Sequence, residues 1–239
     1  MKHSVVWTTA ANALKSLRSG MRVFIGSGCA APQKLVAALA ERGPELFDVE
    51  IIHILTFGAA GYAKRELLAN FRHNALFIGP NVREAVNEGV ADYTPVFLSE
   101  VPALFRQKRI HLDLALIQVT PPDAHGFCSL GVSVDVVKAA VESADRVIAE
   151  VNPNMPRTLG DSFVHLSNLD CLVESTEPIL EYPAPPLSSE SIKIGEFIAS
   201  LVEDGSTLQT GIGEIPSAVC AALAEKRTWG CIPKCLPKR

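Results

Sequence analysis

No stretch of the chain approaches the ~18 consecutive apolar residues that a membrane-spanning helix needs. Its opening, MKHSVVWTTAAN, also lacks the apolar core of a secretory signal. A membrane partner is therefore not expected, and a cytoplasmic location is. Strong charge of one sign is missing as well. The formal net charge is only −4, and Lys and Arg do not gather beside the aromatic residues, which make up 6% of the sequence. A nucleic-acid partner would leave a basic stripe or patch, so none is expected. Cysteine is sparse and scattered. Cys29, Cys128, Cys171 and Cys220 stand alone in apolar stretches, as reduced thiols used as small hydrophobes do. Cys231 and Cys235 form a C-x3-C pair, but no second ligand pair lies near it, and no metal site is expected.

With 48% apolar and 20% charged residues over 239 positions, the chain has room for one large α/β domain or two small ones. The stretch from Asp204 to Pro216, DGSTLQTGIGEIP, reads as strand, glycine turn and helix start. Gly205 ends a preceding helix, 206–210 make a short strand, and Pro216 sits in a first helical turn, where its missing N–H costs nothing. Glycines at 211 and 213 let backbone amides face an anion at the helix start. The same pattern occurs once before: residues 13–42 align with 198–226, with Gly20 on Gly205, Gly26 on Gly211 and Gly28 on Gly213. With one residue dropped, Pro32 falls on Pro216 and Glu41 on Glu225. So long a separation suggests two related α/β domains, since a solenoid would repeat every ~20–50 residues. The proline- and serine-rich segment 181–190 is the expected boundary. Residues 1–187 are then the first domain and 188–239 the start of the second, with the side chains of Val202, Leu208, Ile212, Val219 and Leu223 forming an exposed apolar face that favours self-association into a homo-oligomer.

Read in order, the first domain alternates helices and strands. Helices are expected at 7–19, 33–42, 82–88, 99–108 and 133–143. Strands are expected at 22–26, 49–55, 71–78, 92–98, 112–119 and 146–151, with an edge strand at 170–175. About four to six strands alternating with helices imply an α/β fold with a mostly parallel sheet covered on both faces. The first G-x-G turn raises the possibility of a dinucleotide-binding oxidoreductase. That chemistry wants a third glycine and an acid at the end of the second strand, and Asp48 and Glu50 stand at its beginning. His73, between Arg72 and Asn74, fits a half-buried, hydrogen-bonded structural histidine better than a ligand. The loop Thr120–Gly131 holds two prolines with Asp123 and His125, a pair of the kind that does acid/base work or merely shapes a tight connection.

Four segments carry a resemblance: FRHNALFIGPNVREAVNEGVADYTPVFLSE, VTPPDAHGFCSLGVSVDV, VNPNMPRTLGDSF and LQTGIGEIPSAV. Together they resemble the acetyl-CoA hydrolase/transferase family, class I CoA-transferases acting on short-chain acids such as acetate, butyrate or 4-hydroxybutyrate. The resemblance runs from about residue 5 to residue 227. It implies two similar α/β domains in a longer chain, coenzyme A or acyl-CoA and a short-chain carboxylate as substrates, and no permanently bound cofactor. It also implies a glutamate nucleophile that passes through an acyl-glutamyl anhydride to a glutamyl-CoA thioester. The family's Q-x-G-I-G-x-I-P segment, which helps to bind CoA, falls here on Gln209, Gly211, Ile212, Gly213, Glu214, Ile215 and Pro216. The twin glycines at 26 and 28 show that such a turn can also be purely architectural.

The departure comes after the next helix. The family continues L-G-(I or V)-H-T-E-M, whose glutamate is the nucleophile, whereas this chain reads Thr228-Trp229-Gly230-Cys231-Ile232-Pro233-Lys234-Cys235. Degenerate codons for that octapeptide, ACN TGG GGN TGY ATH CCN AAR TGY, regroup without their first two bases as NTG GGG NTG YAT HCC NAA RTG. That frame permits Leu-Gly-Val-His-Thr-Glu-Met. The tail from Thr228 to Arg239 is therefore expected to be an out-of-frame translation, with Lys234 near the place of the lost glutamate. An amine there would form a stable amide and could not turn over. The chain as written is expected to lack transferase activity, the alternatives being a stand-alone CoA-binding pseudo-enzyme or the dinucleotide-binding domain above.

Overall fold

The structure is a computed structural model in which residues 5–182, 186–224, 226 and 230–233 are described. It divides into two compact units, Met1–Leu180 and Glu181–Arg239. No helix among the described residues is long and apolar enough to cross a membrane.

In chain order the first unit contains β1 (Val6–Trp7), α1 (Ala10–Ala13), β2 (Arg22–Ile25), α2 (Gln33–Glu41), β3 (Val49–His53), β4 (Phe71–Ala75), α3 (Arg83–Asn87), β5 (Asp92–Tyr93) and α4 (Val101–Arg106). It continues with β6 (Leu114–Val119), β7 (Phe127–Ser129), α5 (Val137–Ser143), β8 (Arg146–Val151), β9 (Phe163–His165) and β10 (Cys171–Glu174). Eight of these strands form one sheet in the order β1-β10-β8-β6-β2-β3-β4-β5, with every pairing parallel. This is the α/β architecture expected, with more strands than the four to six anticipated.

The pleat explains how one sheet serves two cores, because successive side chains leave a strand on opposite faces. Val23 and Ile25 of β2, Val49 and Ile51 of β3, and Leu114 and Leu116 of β6 pack with α1 and α2. Phe24, Ile52, Ala115, Ile117 and Val119 face the other way, toward Val101 and Phe105 of α4 and Val137, Ala140 and Val141 of α5. Burial on both faces is why β6 reads as an unbroken apolar run.

Several expectations need correction. Trp7 does not begin a helix. Val6 and Trp7 pair with Cys171 and Leu172, and α1 starts only at Ala10, where the Thr9 hydroxyl accepts the Asn12 amide. Segment 171–174 is consequently not an edge, since β1 lies outside it. The strand expected over 92–98 ends at Tyr93, two residues before Pro95, which has no N–H to give a ladder. Segment 120–131 is not all loop: β7 pairs antiparallel with β9 in a separate ribbon.

The second unit contains α6 (Ser189–Leu201), β11 (Thr207–Thr210), α7 (Glu214–Ala222) and β12 (Gly230–Pro233). Helix α6 ends at Leu201, before Gly205, which lies in the following turn at φ +83°. β11 and β12 run parallel, with Thr210 opposite Pro233. The expected exposed face proves to be largely the buried one. Val202, Val219 and Leu223 close a small core with Ala199, Leu208 packs on it half-buried, and only Ile212 of the five is exposed. Besides Ile212, the large apolar side chains left in solvent among the described residues of this unit are Leu187, Ile192, Ile194, Phe197 and Leu201 with Ile215 of α7.

Close approach of the two helices explains the difference. A Cβ on Gly195 would lie 2.8 Å from both the carbonyl carbon and oxygen of Ala218. Gly195→Ala gains about 1 kcal/mol of helix propensity but overpacks a backbone contact, at a cost of about 1–3 kcal/mol. We expect the overpacking to win, seen as faster amide exchange through α6 and α7; unchanged exchange would show that the helices can separate freely.

Candidate active site

The sheet reverses direction between β2 and β6. From β2 the chain steps outward through β3, β4 and β5, then returns to the other side of β2 and continues through β6, β8 and β10. Open α/β sheets bind ligands in the crevice outside the carboxyl ends of strands at such a point. The turn Gly26-Ser27-Gly28 occupies that position, with Gly28 at φ +59°. Its contacts are already committed. The Gly28 amide donates to the Leu55 carbonyl at 2.7 Å, and the Gly28 carbonyl accepts from the Phe57 amide at 3.3 Å. The buried Ser27 hydroxyl is 2.8 Å from Ser133 Oγ and donates to the Asp135 carboxylate at 2.7–2.8 Å. Asp135 in turn accepts the amides of Val136 and Val137.

The helix start beyond this turn is also taken. Glu150, on β8 and 1% exposed, places Oε2 against the amides of Lys34 and Leu35 at 3.1 and 3.3 Å. These are first-turn donors with no partner inside α2. Burial pushes the Glu150 carboxyl above the usual carboxylate range, against the downward pull of the Ser175 hydroxyl and the two amides. Gln118 donates to the Ala31 carbonyl, and Asn152 donates to Gln118. The chain's own carboxylate thus sits where a pyrophosphate would have to bind. Glu50 is engaged elsewhere, ion-paired to Arg22 at 2.6 Å and accepting from Asn74. The dinucleotide expectation finds no open seat at this turn.

The second copy of the turn leads directly into its helix and is exposed. Gly211 and Ile212 are exposed, and Gly213, at φ +126°, joins β11 to α7. A Cβ on Gly213 would meet no heavy atom within 4 Å. The helical ladder begins where the Ser217 amide donates to the Gly213 carbonyl at 3.2 Å, so the first-turn amides of Glu214 and Ile215 have no partner within the helix. Pro216, third in α7, has no N–H to satisfy, as expected of it. Gln209 and Ile215 are exposed on either side.

Glu214, the acid of the expected set, has its carboxylate engaged within this unit. Its Oε1 accepts the Ser188 amide at 2.5 Å and the Ser191 hydroxyl at 2.6 Å, which ties α7 to the first turn of α6. Hydrogen bonds from Ser188 and Ser191 hold its carboxyl down to about 2. Its Oε1 is thus engaged by the first turn of α6. Lys234 lies outside the described residues, as do Thr228, Trp229 and Cys235 of the tail and Glu225 of the repeat. Of the C-x3-C pair, only the backbone of Cys231 is described, within β12.

The Asp123 and His125 side chains do not form an acid/base couple. Asp123 Oδ1 accepts the backbone amides of His125 and Phe127, both at 2.9 Å, and Oδ2 pairs with Arg157 at 2.6 Å. The Phe127 amide leads the groups that hold this carboxyl below its ordinary range. Asp123 therefore shapes the loop that leads into β7. Cys128, inside that ribbon, is fully buried, and burial pushes its thiol up to about 11.

His73 is structural, as expected, but fully buried rather than half-buried. Its Nδ1 donates to the Ile51 carbonyl at 3.1 Å, its ring stacks on His53 at 4.3 Å, and its Nε2 has no partner among the described residues. His53, which the sequence did not single out, donates from Nδ1 to the Ile54 carbonyl and accepts the Tyr62 hydroxyl at Nε2, 2.7 Å away. Burial lowers the two imidazoles to about 3 for His53 and about 4 for His73. Ser27, Ser133, Asp135 and Glu150 also went unread. Only Glu150, an acid inside the apolar strand RVIAEV, carried a local signal.

Comparison with known proteins places this geometry. Residues 5–181 match the acetyl-CoA hydrolase/transferase N-terminal domain. The chain is 50% identical over 222 residues to the 4-hydroxybutyrate coenzyme A transferase of Clostridium kluyveri, covering 93% of this chain and 52% of that protein. It is 48% identical over 217 residues to the succinyl-CoA:acetate/propanoyl-CoA:succinate CoA transferase of Fasciola hepatica, covering 90% and 45%. The crystal structure of RipA from Yersinia pestis superposes with a TM-score of 0.88 at 32% identity, over 97% of this chain and 56% of that one. A 4-hydroxybutyrate CoA-transferase from Porphyromonas gingivalis superposes with a TM-score of 0.81 at 36% identity, over 96% and 54%. The chain spans about half the length of the curated relatives it matches. With its N-terminal domain matched almost end to end and its fold shared with solved CoA-transferases, the chain belongs to the acetyl-CoA hydrolase/transferase family.

Proposed function

We propose that the chain provides the first domain, residues 1–187, and the CoA-binding turn of an enzyme that moves coenzyme A between a short-chain acyl-CoA and a carboxylic acid such as acetate. The carrying observation is the contrast between the two copies of the glycine turn: Glu150 caps the helix start beyond the first, whereas the second is exposed at Gly211 and Ile212. The first-turn amides of α7, which have no partner within the helix, suit an anionic group or the oxygen of a tetrahedral intermediate. Gln209, Ile215 and Pro216 flank that surface, and Glu214 sets its angle through Ser188 and Ser191.

The chemistry supported is covalent. A glutamate carboxylate attacks the acyl-CoA thioester, forming an acyl-glutamyl anhydride and releasing CoA thiolate. The thiolate then attacks the glutamyl carbonyl, which yields glutamyl-CoA thioester and the first carboxylate. An incoming carboxylate reverses the sequence and leaves with the CoA. The parallel pairing of β11 with β12 puts the carboxyl end of β12 beside the open turn, where such a glutamate would serve. This sequence has Lys234 next to that end, and its ε-amine offers only amide formation.

Three outcomes are expected of the chain. Coenzyme A raises its thermal transition and NAD does not. Gly213→Val, which forces a β-branched residue to φ +126°, weakens that protection by about tenfold, or about 1.4 kcal/mol. Acetate-dependent CoA exchange is absent from the same preparation. Protection by NAD alone would overturn the CoA assignment, and measurable exchange would overturn the inactivity. Binding without exchange is also the behaviour of a CoA-binding pseudo-enzyme, which the missing glutamate favours as the second reading.

A further inference from the structure

We propose that His111, Asp113 and Asp145 bind a divalent first-row transition-metal ion at the amino-terminal edge of the main sheet, the end opposite the Gly26-Ser27-Gly28 turn. Strand register creates the cluster. Leu114 of β6 is opposite Arg146 of β8, so Asp113 and Asp145 are the last residues before two neighbouring strands. The Asp145 amide donates to the Leu112 carbonyl at 3.0 Å and the Arg146 amide to the Asp113 carbonyl at 3.2 Å, which fixes both backbones. His111 enters from the segment leading into β6.

One ligand atom from each residue lies within 4.8 Å of the other two. His111 Nε2 is 3.0 Å from Asp145 Oδ2 and 3.5 Å from Asp113 Oδ1. Neighbouring ligand atoms on a tetrahedral ion with bonds of about 2.0–2.2 Å stand about 3.4 Å apart, so two of the three edges are already close to length. The supporting contacts suit a metal as well. Asp113 Oδ2 accepts the Arg22 amide at 2.7 Å, which aims Oδ1 at the cluster, and the His111 carbonyl accepts from the Arg22 guanidinium at 3.2 Å. The guanidinium is itself paired with Glu50, so it does not neutralise the Asp113 carboxylate. One imidazole with two carboxylates selects zinc- or manganese-like ions over magnesium and calcium, which take oxygen alone. All three side chains are partly exposed, which leaves water to complete the coordination. The role at this position is a clip between the starts of β6 and β8, with no part in CoA chemistry.

The rival is a plain ion pair in which protonated His111 bridges two carboxylates. The test uses Mn2+, which leaves the chain's thiols alone and broadens nearby amide signals in a two-dimensional NMR spectrum of the whole protein. Substoichiometric Mn2+ is expected to broaden residues 111–114 and 144–147 first, and added Zn2+ to restore them. His111→Ala and Asp145→Asn are each expected to weaken Mn2+ binding by about tenfold or more, since loss of even an outer-shell partner typically costs that much. Asp145→Asn is isosteric at an exposed position, so an otherwise unchanged spectrum certifies its fold. Broadening centred elsewhere, binding indifferent to both variants, or no broadening at a several-fold excess of Mn2+ would each overturn the proposal.

Discussion

Glu150→Ala is expected to lower the thermal transition by about 6–12 °C, the shift for a loss of about 3 kcal/mol in a domain of this size. The loss follows from what the carboxylate covers. Without it the amides of Lys34 and Leu35 are left unsatisfied inside the protein, at about 1–3 kcal/mol each, and a cavity opens at the start of α2. Glu150→Gln keeps an acceptor oxygen and is expected to lose about half as much. The informative arm is rescue. Formate carries the deleted carboxylate in free form, so tens of millimolar formate should restore much of the transition in the alanine variant and leave the native protein unmoved. Equal response to formate and to chloride would mean that Glu150 merely fills space, and a variant as stable as the native protein would remove its capping role altogether.

The second large effect is on acid stability. His53 and His73 are buried and neutral, with folded-state values lowered to about 3 and about 4 from 6.5. The unfolded chain takes up these protons below 6.5 and the folded one does not, so their contribution is present above 6.5 and lost as pH falls toward 4. For two such groups the loss between pH 7.5 and pH 5.5 is about 3 kcal/mol, steepening toward ~2.7 kcal/mol per pH unit. Glu150 works the other way. Its raised value favours the folded state at low pH, an offset that begins as pH falls through that raised value and is complete below the ordinary carboxylate range. Denaturant titrations at pH 7.5, 6.5 and 5.5 measure the slope. His73→Phe keeps a ring against His53 while removing the unpartnered Nε2, and it should flatten that slope by about half. A slope unchanged in this variant would assign the acid sensitivity to other groups.

What could be read from the sequence divides along the range of the interactions concerned. β6 and β8 were legible because burial on both faces leaves an apolar run with β-branched residues, and the two glycine turns because one backbone conformation demands glycine. β1 reads from the sequence as part of a helix because a two-residue edge strand has no period of its own; its identity rests on pairing with β10, far away in sequence. β7 was hidden in a proline- and glycine-rich segment for the same reason. The buried face of α6 and α7 came out reversed because helical periodicity shows that a stripe exists but not which neighbour covers it. Contact at Gly195 and Ala218 decides that, and only the fold brings them together. At the candidate site, the sequence pointed to Gly211 and Gly213, but not to the difference between the two copies. That difference is made by Glu150, from a strand more than a hundred residues beyond the helix it caps. His111, Asp113 and Asp145 form no motif for a similar reason: strand register joins them.

The placement of β1 also sets the order of events during synthesis. Val6 and Trp7 are made about 165 residues before their partners Cys171 and Leu172. At ~5–20 residues per second the gap is roughly 8–33 s. Between the synthesis of β4 and that of β6, β2, β3 and β4 can pair with one another, but the half of the sheet that begins with β6 does not yet exist. The nascent chain therefore carries an exposed apolar edge on β2 and a waiting N-terminal segment at the same time, the condition in which chaperone capture competes with folding. Strand order alone makes the last pairing of this domain the one that involves its first residues.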